Sequence, residues 1–425
     1  MLNKYRYILI ISLLSFGFTN ISAEAEETLT WQDCLRESAK NHPDLIAAKE
    51  EIKQSEAAKK ITASTLFPQV NTNVNASTGR SDNGTSSANA DSYGYGVTGS
   101  QLLFDGTKTI NNVRADKENI KAAKQNFRFT SSAVRFRLRT AFVNLLKAQE
   151  MLRITQEIYD IRRGNLELIT LRYQSGLEHK GALLTAEADL AQAEYEISLT
   201  KRNVEVAQRE LTKEMGRLNL TPIEAKGDLA VKDPARQKPD FVALAKNNPS
   251  LQQLIAQKNA AGFQVKSAYA SFSPTLTAQA GADKTGPHWS PRNDEWNAAL
   301  TVSMPVFEGG LRTAQVSQAK ALLNQLKANE RSTGDGVILT LEQAWAALQD
   351  AVDNVEVQRK SLIATEERSK IAEAQYSIGF ISFDNWTIIE DNLVSAKRSF
   401  LDAQANALYA EAEWIQAKGE TLEYE

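Results

Sequence analysis

Arg172-Tyr173-Gln174-Ser175-Gly176-Leu177 interrupts two long helical patterns, and Ala374-Gln375-Tyr376-Ser377-Ile378-Gly379-Phe380 repeats it 203 positions later. Each stretch reads as the tip of a helical hairpin, with glycine where a turn needs positive φ. Before the first tip the apolar register runs Val113, Ile120, Phe127, Val134, Ala141 and Ala148 in sevens, beside a second seam of Leu138, Leu145, Leu152, Tyr159 and Leu166. No proline interrupts Thr107 to Tyr173, so one helix there reaches roughly 100 Å at about 1.5 Å per residue. Gly181 to Met215 returns beside it. Around the second tip Leu311 to Tyr376 and Asn385 to Lys418 do the same, with Gly334 and Gly336 expected to loosen the longer helix.

The duplication extends well beyond the tips. Lys40-Asn41-His42-Pro43-Asp44-Leu45 recurs as Lys246-Asn247-Asn248-Pro249-Ser250-Leu251 at an offset of 206, and Leu103-Phe104-Asp105-Gly106 recurs as Val306-Phe307-Glu308-Gly309 at 203. A tandem repeat accounts for both. Its boundaries read as residues 26–220 and 241–419, joined by a proline-rich connector at 221–240 and followed by a tail at 420–425. The first unit carries helices over Trp31–Lys40 and Asp44 to about Ala63, a strand pair at about 66–104 and a helical hairpin at 107–217. The second carries a helix, a strand pair at about 272–307 and a hairpin at 311–418.

The strands are read from alternation. Val70, Thr72, Val74 and Ala76 share one face of the first strand, while Gln69, Asn71, Asn73, Asn75 and Ser77 share the other. Gly79 to Ser92 is all turn-formers and reads as a solvated loop. In the second unit Thr275, Thr277, Gln279 and Gly281 oppose Leu276, Ala278 and Ala280. Trp296, Ala298, Leu300 and Val302 likewise oppose Asn297, Ala299, Thr301 and Ser303. About ten alternating residues with an aromatic near one end fit either a transmembrane β-strand or a half-buried soluble one.

Composition narrows the class. Met1 to about Ala25 has basic Lys4 and Arg6, an apolar run from Tyr7 to Phe18 and small residues after it, the pattern of a signal peptide cleaved within 23–25. The formal net charge of −3 and mixed-sign surface leave no footprint for nucleic acid. Cys34, the single cysteine, reads as a small apolar residue on a short helix. His42, His179 and His288 are scattered without ligand spacing and read as solvated or turn histidines, so no catalytic residue, metal or cofactor is expected. Gly94-Tyr95-Gly96-Val97-Thr98-Gly99 fits a dinucleotide fingerprint only formally, since it lies within a strand.

Four strands cannot close a membrane barrel, and an open edge in lipid leaves backbone groups unpaired at several kcal/mol each. If the strands span, the chain oligomerises, and Asn71, Asn73, Thr277 and Thr301 face a water-filled lumen. The alternative is a periplasmic scaffolding coiled-coil protein with soluble strand pairs and no channel.

The strand exit Met304-Pro305-Val306-Phe307-Glu308-Gly309-Gly310, its weaker copy Gln101-Leu102-Leu103-Phe104-Asp105-Gly106, the tip motif and the start Leu29-Thr30-Trp31-Gln32-Asp33-Cys34 with Asn41-His42-Pro43-Asp44-Leu45 resemble the TolC-type outer-membrane efflux family over about Thr28 to Lys418. That resemblance implies an α+β membrane protein: a trimeric twelve-stranded outer-membrane β-barrel, four strands per protomer, continued by a long periplasmic α-helical barrel of hairpins. It implies a passive exit duct of a tripartite efflux or type I secretion system, meeting an adaptor (membrane fusion) protein and an inner-membrane transporter. Tyr173, Gly176, Leu177, Tyr376, Gly379 and Phe380 become expected adaptor-docking positions, and Glu167, Tyr376 and Asp384 an expected aperture gate. Asn385 and Ile388 stand where the family often has acids, which puts an acidic ring in doubt. Asp384 reads equally as the N-cap of the returning helix.

Overall fold

A computed structural model describes residues 27–82, 87–219, 221–230 and 238–422; the expected signal peptide and parts of the expected connector and tail lie outside them. The chain runs β1 (Glu27–Thr30), α1 (Trp31–Asn41), α2 (Pro43–Ser64), β2 (Gln69–Asp82), β3 (Ser87–Phe104), α3 (Lys108–Gln174) and α4 (Lys180–Glu214). It continues through β4 (Ile223–Lys226), α5 (Phe241–Asn247), α6 (Pro249–Ala270), β5 (Thr275–Gly286), β6 (Asn293–Ser303), α7 (Leu311–Ser377) and α8 (Phe383–Lys418). The helices α3 and α7 are each 67 residues long, and α2 and α6 are each 22.

Local chemistry sets the helix ends. Thr30 accepts from the Asp33 amide while Asp33 returns a bond to the Thr30 amide, a complete capping box at α1. Pro43 and Pro249 open α2 and α6, where a missing N–H costs nothing. Despite Gly334 and Gly336, α7 runs unbroken.

The helices stand as four columns. α2 and α4 flank one side of α3, α6 and α8 the other, and α7 packs on α6 and α8. Two columns are therefore built from two pieces end to end. At the first junction Ser38 Oγ donates to the Glu214 carbonyl at 2.9 Å, and Gly216 lies so close that a Cβ there would sit 2.5 Å from the Asn41 carbonyl oxygen. At the second, Asn248 Nδ2 donates to the Ala417 carbonyl at 3.0 Å and Gly419 abuts Pro249. The largest apolar cluster surrounds the first junction, with Cys34, Leu138, Phe142, Leu211 and Met215 all buried. Burial pushes the Cys34 thiol up to about 12, so it packs as an inert apolar group.

Salt bridges tie α8 to the first hairpin. Lys147 meets Asp402 at 2.7 Å and Arg139 meets Glu411 at 3.5 Å, while Lys397 pairs with Glu157 and Arg398 with Glu196. Between α7 and α8 the corresponding polar link is Ser369 Oγ donating to buried Glu390 at 2.5 Å.

Several expectations need correction. Gly79 to Ser92 is not all loop: β2 continues to Asp82 and β3 starts at Ser87, because the backbone of Ser, Gly and Asn can enter a hairpin ladder as well as a turn. The strand pair of the second unit stops at Ser303, and Met304 to Glu308 leave the ladder. The expected connector contains β4, which pairs in parallel with β1 from Glu27↔Ile223 to Thr30↔Lys226. His42 is buried, not solvated: its Nδ1 accepts from the Asp44 amide at 3.1 Å and its Nε2 lies 3.4 Å from Glu214 Oε2. Arg137 completes this junction, 3.3 Å from Glu214 and paired with Asp44, whose carboxyl its guanidinium holds below the usual range.

Candidate functional site

Both tips share one backbone device. In the first, Leu177 N donates to the Arg172 carbonyl at 2.8 Å and Gly176 N to that of Tyr173 at 3.0 Å; in the second, Phe380 N donates to Gln375 at 2.8 Å and Gly379 N to Tyr376 at 3.0 Å. These paired bonds are the Schellman termination, which requires a left-handed residue. Gly176 and Gly379 supply it at φ 73° and 77°, and no atom crowds either position, so conformation and not space demands glycine. Outside this frame Leu177 is 68% exposed, Ile378 81% and Phe380 75%, with Tyr173 at 38%. Both tips thus end in apolar side chains open to solvent.

Tyr376 lies inside, only 1% exposed, and so is no surface docking contact in the protomer. Its ring stacks on Trp386 with centroids 4.4 Å apart and planes 10° from parallel, and Phe383 packs against both. From the first hairpin the Arg172 guanidinium sits 4.7 Å over the ring, and the phenol donates to Glu178 Oε2 at 2.8 Å. Burial and then the Glu178 carboxylate drive the phenol's pKa up, so it stays a neutral donor. Ile169, Ala182 and Ala186 from the first hairpin and Ala372 from the second close the cluster. Each hairpin is thereby clamped to the other at its tip.

The acid that meets Tyr376 is Glu178 in the first tip loop, whereas Glu167 is exposed on α3. Sequence position alone had no means of finding Glu178. Asp384 is exposed in the first turn of α8, but the N-cap is Ser382, which accepts from the Asn385 amide at 3.4 Å. The expectation that Asp384 caps this helix is therefore corrected by two residues. About one turn above the cluster, Arg162 pairs with Asp391 of α8 and stands 3.8 Å from Asp189 of α4. Burial raises the Asp189 carboxyl; Arg162 opposes this and Asp391 adds to it.

At the other end of the columns the strands form one antiparallel sheet in the order β2-β3-β5-β6. Directly opposed residues share a face. One register row is Asn71, Thr98, Gly281 and Asn297; the next is Asn73, Gly96, Asp283 and Glu295; and Thr277 opposes Thr301. The four expected lumen residues therefore share one polar face. The other face carries Val70, Val97, Ala280, Trp296, Leu300 and Val302 in the intervening rows. Leu276 to Ala282 opposite Val302 to Trp296 gives an apolar band about 24 Å long at roughly 3.4 Å per residue. At its helical end Phe67, Phe104, Phe272 and Phe307 are all exposed. Among the described residues, no helix is long and apolar enough to cross a membrane.

The profile of the family described as outer membrane efflux protein matches residues 34–217 and 242–422. The chain is similar to the outer membrane efflux protein BepC of Brucella suis, 22% identical over 413 residues covering 96% of this chain and 88% of that one. It is also similar to the outer membrane protein TolC of Escherichia coli, 24% identical over 436 residues covering 94% and 83%. Among solved structures it superposes on a CusC crystal structure with a TM-score of 0.82 at 18% identity, covering 91% of each chain. The Campylobacter jejuni CmeC outer membrane channel gives 0.81 at 18% identity, covering 91% of this chain and 84% of that one.

Proposed function

The chain belongs to the outer membrane efflux protein family, and from that premise we propose that three copies assemble into a duct through which cargo leaves the periplasm. The protein is an outer-membrane efflux channel with most of its chain in the periplasm. In the assembly three four-stranded sheets join edge to edge, β2 of one copy beside β6 of the next, into a twelve-stranded barrel. Asn71, Asn73, Thr277 and Thr301 line its lumen, while Val70, Trp296, Leu300 and Val302 meet lipid and the four phenylalanines mark the periplasmic interface. The helical columns continue the wall, twelve to a ring.

One observation carries this reading: a sheet that is polar on one face, apolar on the other and unpaired at both edges. Such a sheet is stable in lipid only when copies of it close on themselves. The two-unit plan descends from a duplication, as the matching lengths of α2 with α6 and α3 with α7 suggest.

The tips form the periplasmic mouth. Tyr173, Leu177, Ile378 and Phe380 offer an apolar rim to an adaptor protein, behind which an inner-membrane transporter drives the cargo. Tyr376, Arg172 and Glu178 hold that mouth closed. Glu167 and Asp384 remain at the aperture as outlying acids, and no ring of carboxylates is needed for closure. The lumen's amides and hydroxyls, with Asp283 and Glu295 in the row of Asn73, give a generic polar lining, and cargo selection falls to the transporter. No catalytic step has a place in this scheme.

The test is purification in detergent followed by mass measurement and planar-bilayer recording. A trimer with discrete conductance is expected. A monodisperse monomer that never conducts would sink the proposal in favour of a scaffolding role.

A further inference from the structure

Charge is unevenly distributed along the columns. Over residues 108–128 of α3 there are six basic side chains against Asp116 and Glu118, and α6 has Lys258 and Lys266 with no acid. Over 311–334 of α7 stand Arg312, Lys320, Lys327 and Arg331 against Glu330. Below this belt the summed charge turns negative: residues 335–377 of α7 hold eight acids to four bases, α8 six to three and α4 seven to five, although residues 129–174 of α3 stay basic at eight to four. The whole chain is nearly neutral at −3, so the belt is a local concentration and not a reflection of composition.

Part of the belt is internally neutralised. Lys258 pairs with Glu330 at 2.7 Å, Lys121 with Glu118 at 2.6 Å, and Arg312 with Glu308. Lys117, Lys124, Lys266, Lys320 and Lys327 are exposed and carry no salt bridge among the described residues. Lys266 lies over the Phe263 ring at 5.1 Å and Lys320 over Tyr269 at 5.1 Å, so aromatic faces hold two of these ammonium groups along the α6–α7 side. Between α3, α6 and α7 a groove of about 410 Å³ opens, lined by Gly262, Phe263, Leu323, Lys266 and Lys327 and, from α3, by Glu118, the acid that pairs with Lys121.

We infer that this belt is a docking collar for a carboxylate-bearing polymer of the envelope, of the kind presented by cell-wall stem peptides. The inference rests on the outer-membrane placement proposed above. Reach decides between that polymer and lipid headgroups. The columns begin at the sheet's edge, so at about 1.5 Å per residue Lys266 lies about 6 Å below it, Lys117 and Lys320 about 14 Å and Lys124 and Lys327 about 24 Å. Headgroups extend only about 5–7 Å beyond the hydrocarbon, and screening limits attraction to about 8 Å more. The bilayer surface reaches Lys266 and, at its limit, Lys117 and Lys320, but not Lys124 and Lys327, whereas a polyanion lying around the duct in the aqueous compartment reaches all five. Ammonium groups spread over about 18 Å of column depth match a chain of separate carboxylates better than one compact phosphate.

The test is co-sedimentation of the detergent-purified full chain with insoluble cell-wall sacculi, alongside anionic phospholipid vesicles and sacculi whose carboxylates have been amidated. Binding to native sacculi is expected, falling severalfold between about 0.05 M and about 0.5 M salt. It should be lost on amidated sacculi and weakened about tenfold by Lys117→Glu, Lys124→Glu, Lys266→Glu, Lys320→Glu and Lys327→Glu combined. The matching Lys→Gln set, with thermal melting as a control, covers the case in which the reversed chain fails to fold. Undiminished binding in either variant set, equal binding to amidated sacculi or a preference for vesicles overturns the collar. A switch of bilayer ion selectivity in the variants with unchanged sacculus binding also overturns it, by turning the belt to the lumen. Normal conductance without sacculus binding would sink the collar and leave the channel standing.

Discussion

The two hairpin tips have the same backbone and opposite duties. Gly176 and Gly379 terminate their helices through identical pairs of hydrogen bonds, yet the first tip sends polar groups outward to grip and the second turns an aromatic inward to be gripped. Arg172 and Glu178 belong to the first, and Tyr376, Phe383 and Trp386 to the second. Chain reversal demands only a left-handed glycine, so it survives in both, while the side chains around it have diverged into complementary halves of one clamp.

The largest effect that would test this asymmetry is Tyr376→Ala, which removes the stack, the cation–π contact and the phenolic bond together. A loss of about 3–5 kcal/mol is expected from a buried aromatic truncated to alanine, read as raised resting conductance and faster proteolysis at the tips. The positionally matched change in the first tip, Tyr173→Ala, should shift thermal stability by about 0.5 kcal/mol or less, since that ring is partly exposed. Comparable losses at the two sites would abolish the distinction.

The acid comes next. Glu178→Ala leaves the buried phenol without its acceptor and should cost about 1–3 kcal/mol, whereas Glu167→Ala should cost about 0.5 kcal/mol or less. A double-mutant cycle of Glu178→Ala with Tyr376→Phe isolates the bond; zero coupling would show that Glu178 does not hold the gate.

The glycines sharpen the shared half of the comparison. Gly176→Ala and Gly379→Ala meet no steric obstruction, so each should cost about 1–2 kcal/mol for left-handed backbone alone, equally within about 0.5 kcal/mol. A clear inequality in urea denaturation would mean the frames differ in a way their hydrogen bonds do not reveal.

The smallest effect is alkaline. The Tyr376 phenol is raised above its ordinary value of 10, so its contribution is fully present below pH 10 and is lost as pH climbs from there toward the folded pKa. Ultraviolet titration should show late-ionising phenols, since burial raises Tyr409 as well, and Tyr376→Phe should remove one phenol from that late step. Near neutral pH no change is expected.

Much of this was legible locally. The tip glycines, the seven-residue apolar register and the two faces of each strand depend on neighbours a few positions apart, and they appear in the chain as spacing. Pairings across long separations leave no such trace. His42 meets Glu214 across 172 positions, so a histidine in a turn motif looks solvated when it is buried. Glu178 was missed for a related reason: an acid counted back along α3 gives Glu167, but the phenol of Tyr376 lies level with the loop beyond the helix end. The cap of α8 illustrates a smaller limit, since Ser382 and Asp384 are both good capping residues and only the backbone chooses.

The pairing of β1 with β4 has a consequence in time. Thr28 and Glu224 are 196 residues apart and become neighbours in a parallel ladder of four pairs. Closing so long a loop costs about 5 kcal/mol of chain entropy, more than the backbone bonds of four ladder pairs return unaided, so the burial of Leu29, Ile223 and Ala225 in the junction core must contribute as well. A chain delivered amino end first holds β1 unmatched until α3 and α4 have both arrived. The first strand to emerge is thus completed late, and its closure reports that half the molecule has been received intact.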